Sequence, residues 1–207
     1  EIRAGLVVGS VSAGSQHVLV LADGEPALEP PEVSGGGVDV VYGSATSVRI
    51  AAVGREIQGY EASGLPEGLV LDETTGEISG VPEQVGTYTV QVGARNAAGS
   101  GSATLTVQVR AKELILGGLS VVTKEYDGTR TAVLSGTPTL SGIVGSDEVR
   151  FASPPTGLFD DPNIGVGKTV IVGGYTLAGS RAKNYFVASS ISLLGSIVPR
   201  PVLLGSV

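Results

Sequence analysis

The chain has 207 residues, enough for one or two domains, each of a size that can bury an adequate core. Its 13 basic and 20 acidic residues leave a net charge of -7, which argues against nucleic acid and against an anionic membrane surface, both of which call for clustered Lys and Arg. Cys, Met and Trp are all absent, so disulfides, a thiolate nucleophile and a cysteine metal site are excluded.

The missing Met sets the expectation that Glu1 is not a translation start and that the chain is a fragment or a processed form. No apolar run approaches the roughly 20 residues of a membrane span. The 32 glycines and the 16% of charged residues suit many short strands joined by turns.

In chain order, 5–9 and 17–21 read as short strands, and Asp23-Gly24 as a turn. Residues 1–37 read as the end of an upstream unit or a linker, closing on Pro30-Pro31 and Gly35-Gly-Gly37. Residues 47–53 alternate around Val48, Ile50 and Ala52, and 58–62, 69–71 and 77–82 follow as short strands. The strongest pattern lies at 87–94. Tyr88, Val90, Val92 and Ala94 share one face there, and Ala103, Leu105, Val107 and Val109 share one face after a turn. Two such runs predict a hairpin with one buried side. Beyond it, 114–116, 119–123, 149–152, 169–172 and 185–197 read as strands, and no helix is predicted. Short strands at this spacing point to an all-β protein built of two tandem β-sandwiches.

Residues 45–109 carry Gly64-Leu-Pro-Glu-Gly-Leu69, Leu71-Asp-Glu-Thr-Thr-Gly-Glu-Ile-Ser-Gly-Val-Pro82, Gly86-Thr-Tyr-Thr-Val90 and Ala94-Arg-Asn-Ala-Ala-Gly99. This ordered series resembles the immunoglobulin-like (cadherin-like) repeats of bacterial surface proteins. Tyr88 is similar to the tyrosine corner of such sandwiches, a tyrosine that bonds back to upstream backbone. Residues 122–197 carry Lys124-Glu-Tyr-Asp-Gly-Thr129, Gly145-Ser-Asp147, Phe159-Asp-Asp-Pro-Asn-Ile-Gly165, Gly167-Lys-Thr-Val170, Leu177-Ala-Gly179 and Lys183-Asn-Tyr185. They resemble the bacterial repeat named for its Tyr-Asp-Gly motif. Both resemblances imply a secreted or cell-surface protein of the adhesin or haemagglutinin type, with no catalytic site among the motif residues.

Residues that could carry chemistry are few. His17 is the lone histidine and reads as a surface or strand-edge residue; a Ser-His-Asp triad would have to be built on it, no Gly-x-Ser-x-Gly elbow accompanies it, and one His without Cys disfavours a catalytic zinc site. Acidic groups gather at Asp72, Glu73 and Glu77, at Asp147 and Glu148, and at Asp160 and Asp161. Calcium is the one ion these oxygens suit, with Asp72, Glu73, Asp160 and Asp161 as candidate ligands. The Asp-x-Asp-x-Asp-Gly spacing is missing, however, and the favoured reading has Asp72 and Asp161 ordering turns.

Among the motif residues Tyr88, Tyr126, Asp127, Gly128, Asn184 and Tyr185, the aromatic Tyr126 and Tyr185, with Phe159, are expected in the core. Lys183-Asn184 reads as a loop in preference to a cross-link. Gly165-x-Gly167-Lys168-Thr169 reads as a hairpin turn, since it lacks phosphate-loop spacing.

These readings divide the chain into 1–37, an immunoglobulin-like domain at 38–111, a YDG-type β domain at 112–199 and the start of a following unit at 200–207. The joint falls near Ala111-Lys-Glu113. The expected function is a non-catalytic stalk segment, without cofactor, in an extracellular or cell-surface protein. The alternative is a module, with calcium dependence left open, that binds host or extracellular glycan or protein. Expected partners are neighbouring domains of the same protein and an extracellular protein or glycan.

Overall fold

The computed structural model describes residues 27–201, together with the backbone of two short strands, β1 (Val7–Val8) and β2 (Leu21–Ala22), which pair antiparallel. His17 lies outside the described residues. Among the described residues, regular structure is strand throughout, apart from a single 3-10 turn at Ala182–Asn184.

The first unit contains β3 (Glu32–Val33), β4 (Gly36–Val41), β5 (Thr46–Arg49), β6 (Ala52–Val53), β7 (Gly59–Ser63), β8 (Leu69–Asp72), β9 (Glu77–Gly80), β10 (Gly86–Asn96) and β11 (Gly99–Arg110). The period-2 pattern of β10 and β11 closes as expected into a hairpin, in register from Gly86 opposite Val109 to Asn96 opposite Gly99. Val90, Val92, Ala94, Val107 and Val109 are buried. On the outer face Thr87 donates to Gln108 at 2.6 Å and Gln91 to Thr104 at 3.0 Å, each directly across the strands.

This hairpin centres a sheet ordered β4-β11-β10-β7, with β4 parallel to β11. A second sheet, β5-β9-β8, supplies Leu69 and Ile78 to the same core. The pairing is that of an immunoglobulin-like sandwich. The run 47–53 reads as one strand in the sequence but breaks at Ile50 and Ala51. There the chain changes sheets: β5 pairs with β9, and β6 pairs with β3.

The second unit contains β12 (Lys112–Gly117), β13 (Ser120–Val121), β14 (Lys124–Glu125), β15 (Thr131–Ala132), β16 (Leu134–Ser135), β17 (Thr139–Ser141), β18 (Arg150–Ser153), β19 (Thr156–Phe159), β20 (Gly165–Gly173), β21 (Thr176–Ala178), β22 (Tyr185–Val187) and β23 (Ser190–Val198). Its main sheet runs β14-β23-β20-β19-β15, and β17-β12-β22 forms a second sheet. Phe159, Val170, Val172 and Ile197 are buried in its core. Gly195 admits the Phe159 ring, because a Cβ there would lie 3.0 Å from that ring and 2.7 Å from Val121.

Two expectations are corrected in this unit. The run 185–197 is two strands, since β22 pairs in parallel with β12 while β23 joins the main sheet. The stretch from Gly165 to Thr169 is the irregular start of β20 and no turn, with a register shift between Gly165 and Lys168.

The two cores are not separate. Leu114 and Leu116 share one face of β12. Leu114 packs into the cluster of the first unit, joined there by Tyr185, and Leu116 packs into that of the second.

Candidate functional site

The site with the most concentrated polar chemistry among the described residues is the joint between the units. Tyr42 follows β4 directly, and its N–H donates to the Arg110 carbonyl at 2.9 Å, where β11 leaves the first unit. Gly43, with a φ of 64°, turns the chain and lies against Val144, whose methyl would sit 2.4 Å from a Cβ at position 43. A side chain there would be strained by the backbone and would also clash.

From the second unit, Asp147 stands in a turn closed by its own N–H on the Val144 carbonyl at 3.1 Å. Tyr185 opens β22. Its ring meets that of Tyr42 edge-on, with centroids 5.3 Å apart, a favourable aromatic geometry.

Both hydroxyls converge on one carboxylate oxygen. Tyr42 donates to Asp147 Oδ2 at 2.7 Å, and Tyr185 donates to the same atom. The Tyr185 hydroxyl in turn accepts the Val144 N–H at 2.9 Å. Arg181 Nε approaches Asp147 Oδ1 to 4.0 Å. Burial alone would raise the Asp147 pKa. The hydrogen bonds from Tyr185 and Tyr42 and the charge of Arg181 outweigh it, and the carboxyl titrates below its ordinary value. Burial, then the Asp147 carboxylate, pushes both tyrosine hydroxyls up. Asn184 is fully buried beside this cluster, where its side chain acts on the Tyr42 hydroxyl. It sits in the 3-10 turn, where the sequence suggests a plain loop.

The joint therefore joins an anion to two neutral hydroxyl donors inside a shared apolar core.

The other motif residues lie elsewhere. Tyr88 donates to the Gln84 carbonyl at 3.3 Å, four residues upstream. Tyr126 departs from its expected core position: it is 42% exposed. The residues after it form a tied turn. Lys124 Nζ reaches Asp127 Oδ1 at 2.8 Å, the Thr129 carbonyl at 3.0 Å and the Thr131 carbonyl at 2.9 Å. Asp127 also accepts the Thr129 N–H at 2.8 Å. Lys124 and these hydrogen bonds hold the Asp127 carboxyl at about 2.

Three of the four candidate calcium ligands, Asp72, Asp160 and Asp161, are engaged in local order. Asp72 accepts the Thr74 and Thr75 N–H groups at 2.8 and 3.1 Å, next to Glu73. Asp160 and Asp161 flank Lys168 Nζ at 3.3 and 2.7 Å, and Asp161 also accepts the Asn163 N–H at 2.7 Å. Among the described residues no three acidic or histidine side chains converge on one point.

The sequence does not single out Tyr42, and it marks Asp147 only in an acidic pair and as the end of the Gly145-Ser-Asp147 motif. No local signal marks Tyr42, since its hydroxyl partner lies 105 positions away.

Residues 33–110 match the family model described as "Putative Ig domain", and residues 110–192 match that of the YDG domain. The chain thus carries an immunoglobulin-like repeat followed by a YDG domain, in the order its motifs imply. No curated protein matches it.

Among solved structures it is similar to one titled "putative alpha-galactosidase" from Bacteroides fragilis, at 29% identity over 42% of this chain and 21% of that one, with a TM-score of 0.38. It is also similar to human protocadherin-24 EC1-2, at 13% identity over 84% of this chain and 100% of that one, with a TM-score of 0.36. A third is the pair of titin domains z1z2 in complex with telethonin, at 11% identity over 84% and 98%, with a TM-score of 0.38. This chain spans about a fifth of the length of the alpha-galactosidases.

Proposed function

We propose that this chain is a non-catalytic, stiff stalk segment of a bacterial cell-surface or secreted adhesin-like protein. The observation that carries the reading is the joint. Tyr42 and Tyr185, from different units, share one carboxylate and one apolar cluster, and the strand that leaves the first unit is followed after Ala111 by the strand that opens the second. Tandem sandwiches on a flexible tether need no such contact, because domains of this size fold alone. The surface assignment draws on the two repeat types. The non-catalytic assignment draws on the two repeat types, whose motif residues form no catalytic site.

The alternative, an end-loop binding module for glycan or protein, draws on the exposed Phe186 near the joint. Small-angle scattering in solution tests the stalk reading. One fixed separation of the units is expected for the native chain, and a spread of separations for Tyr42→Ala. A spread already present in the native chain would sink it.

A further inference from the structure

Tyr42 and Tyr126 hold the same place in their respective units. In the first, β4 runs parallel to the last strand, with Val40 opposite Val109 and Val41 opposite Arg110, and the next residue, Tyr42, donates its N–H to the Arg110 carbonyl at 2.9 Å. In the second, β14 runs parallel to the last strand, with Lys124 opposite Ile197 and Glu125 opposite Val198. The next residue, Tyr126, donates its N–H to the Val198 carbonyl at 2.9 Å. Each tyrosine thus marks this edge of its unit, and a glycine of positive φ comes soon after it, Gly43 directly and Gly128 beyond Asp127.

They differ in what covers them. Tyr42 is 5% exposed, under Tyr185 and Asp147, and Gly43 has Val144 against it. Tyr126 is 42% exposed, and Gly128 faces open space. Beside the same exit, where Gly165 pairs with Ile197, Ile164 and Val166 also stand exposed.

The sequence beyond the exit supplies the occupant. Arg110 is followed by Ala-Lys-Glu-Leu-Ile-Leu-Gly117, and Val198 by Pro-Arg-Pro-Val-Leu-Leu-Gly205. The two stretches align without a gap: Lys112 falls on Arg200, Leu114 on Val202, Leu116 on Leu204 and Gly117 on Gly205. Leu114 and Leu116 are the residues through which β12 enters the two cores of the observed joint.

We propose that Tyr126 is the seat on which a following unit of the same kind as residues 112–198 docks, its own counterparts of Asp147 and Tyr185 closing over the ring as Asp147 and Tyr185 close over Tyr42. Asp127 does not oppose an incoming carboxylate, because Lys124 and the Thr129 N–H already hold it. The inference rests on the reading of the chain as serial stalk units and assigns the exposed tyrosine of the Tyr-Asp-Gly motif to assembly of the stalk.

The test appends a second copy of residues 112–201 after Pro199 of the full chain and compares tyrosine nitration at position 126 with and without the copy. Tyr126 is expected to react several-fold more slowly in the extended chain, and Asp147→Ala in the appended copy alone is expected to restore its reactivity. An appended copy that fails to fold behind this seat, or that folds and leaves Tyr126 as reactive as before, overturns the proposal. The outcome is independent of the scattering experiment, which reads the first joint. A protected Tyr126 with a loose first joint would remove the stiff-stalk reading and leave this one.

Discussion

Asp147 is only 15% exposed at its side chain and carries two hydroxyl donors on one oxygen. Hydrogen bonds to a charged group contribute roughly 1.5–3 kcal/mol each, and removing one partner leaves the others unsatisfied. Asp147→Ala is therefore expected to lower the unfolding free energy by about 2 kcal/mol or more, read by denaturant titration. Its folded pKa lies below its unfolded one, so the contribution is complete above the ordinary carboxylate range and fades as the pH falls through the lower folded value. The gap between native chain and variant should close in acid and stay constant at neutral pH. Asp127 follows the same sign, with a defined window. Its pKa is 3.8 ordinarily and about 2 when folded, so its stabilisation is present above 3.8 and lost towards about 2. Asp127→Asn should show a flatter melting temperature than the native chain across that interval.

At the scale of elements, β12 makes the sharpest claim. Leu114 and Leu116 are both buried, two residues apart, in different clusters. Truncating either to Ala costs roughly 2–5 kcal/mol by transfer and cavity terms. Leu114→Ala should speed local opening of the first unit although the residue follows that unit's last strand, and Leu116→Ala should speed local opening of the second, both on top of the shared loss of global stability. Hydrogen exchange resolved by segment separates the two outcomes.

The hairpin β10–β11 was legible in the sequence because its alternation is long and one-sided. The runs 47–53 and 185–197 each read as one strand, since a change of partner sheet leaves the alternation intact. Tyr126 departs from the sequence expectation because an aromatic beside a turn looks like a core anchor whether or not anything covers it. Tyr42 was invisible for the opposite reason: a unit distant in sequence buries it.

At the scale of the molecule, the shared cluster makes the two units interdependent. If the second unit opened alone, the first would lose Leu114 and Tyr185 from its core and leave Tyr42 without its acceptor. Burying one such apolar side chain contributes roughly 1.5–3 kcal/mol, and the edge-on aromatic pair adds about 0.5–1.5 kcal/mol. That sum is comparable with a good part of the 5–15 kcal/mol by which a domain is usually stable, so the units should melt together. A Gly-Ser-Gly-Ser insertion between Ala111 and Lys112 keeps every residue of both sandwiches but removes the constraint that holds β12 against the exit of the first. Calorimetry of the native chain is expected to give one transition, and calorimetry of the insertion chain two, the first of them at a lower temperature. Two transitions in both chains would mean that the contact around Asp147 is too weak to couple the units, and that each sandwich carries its own stability.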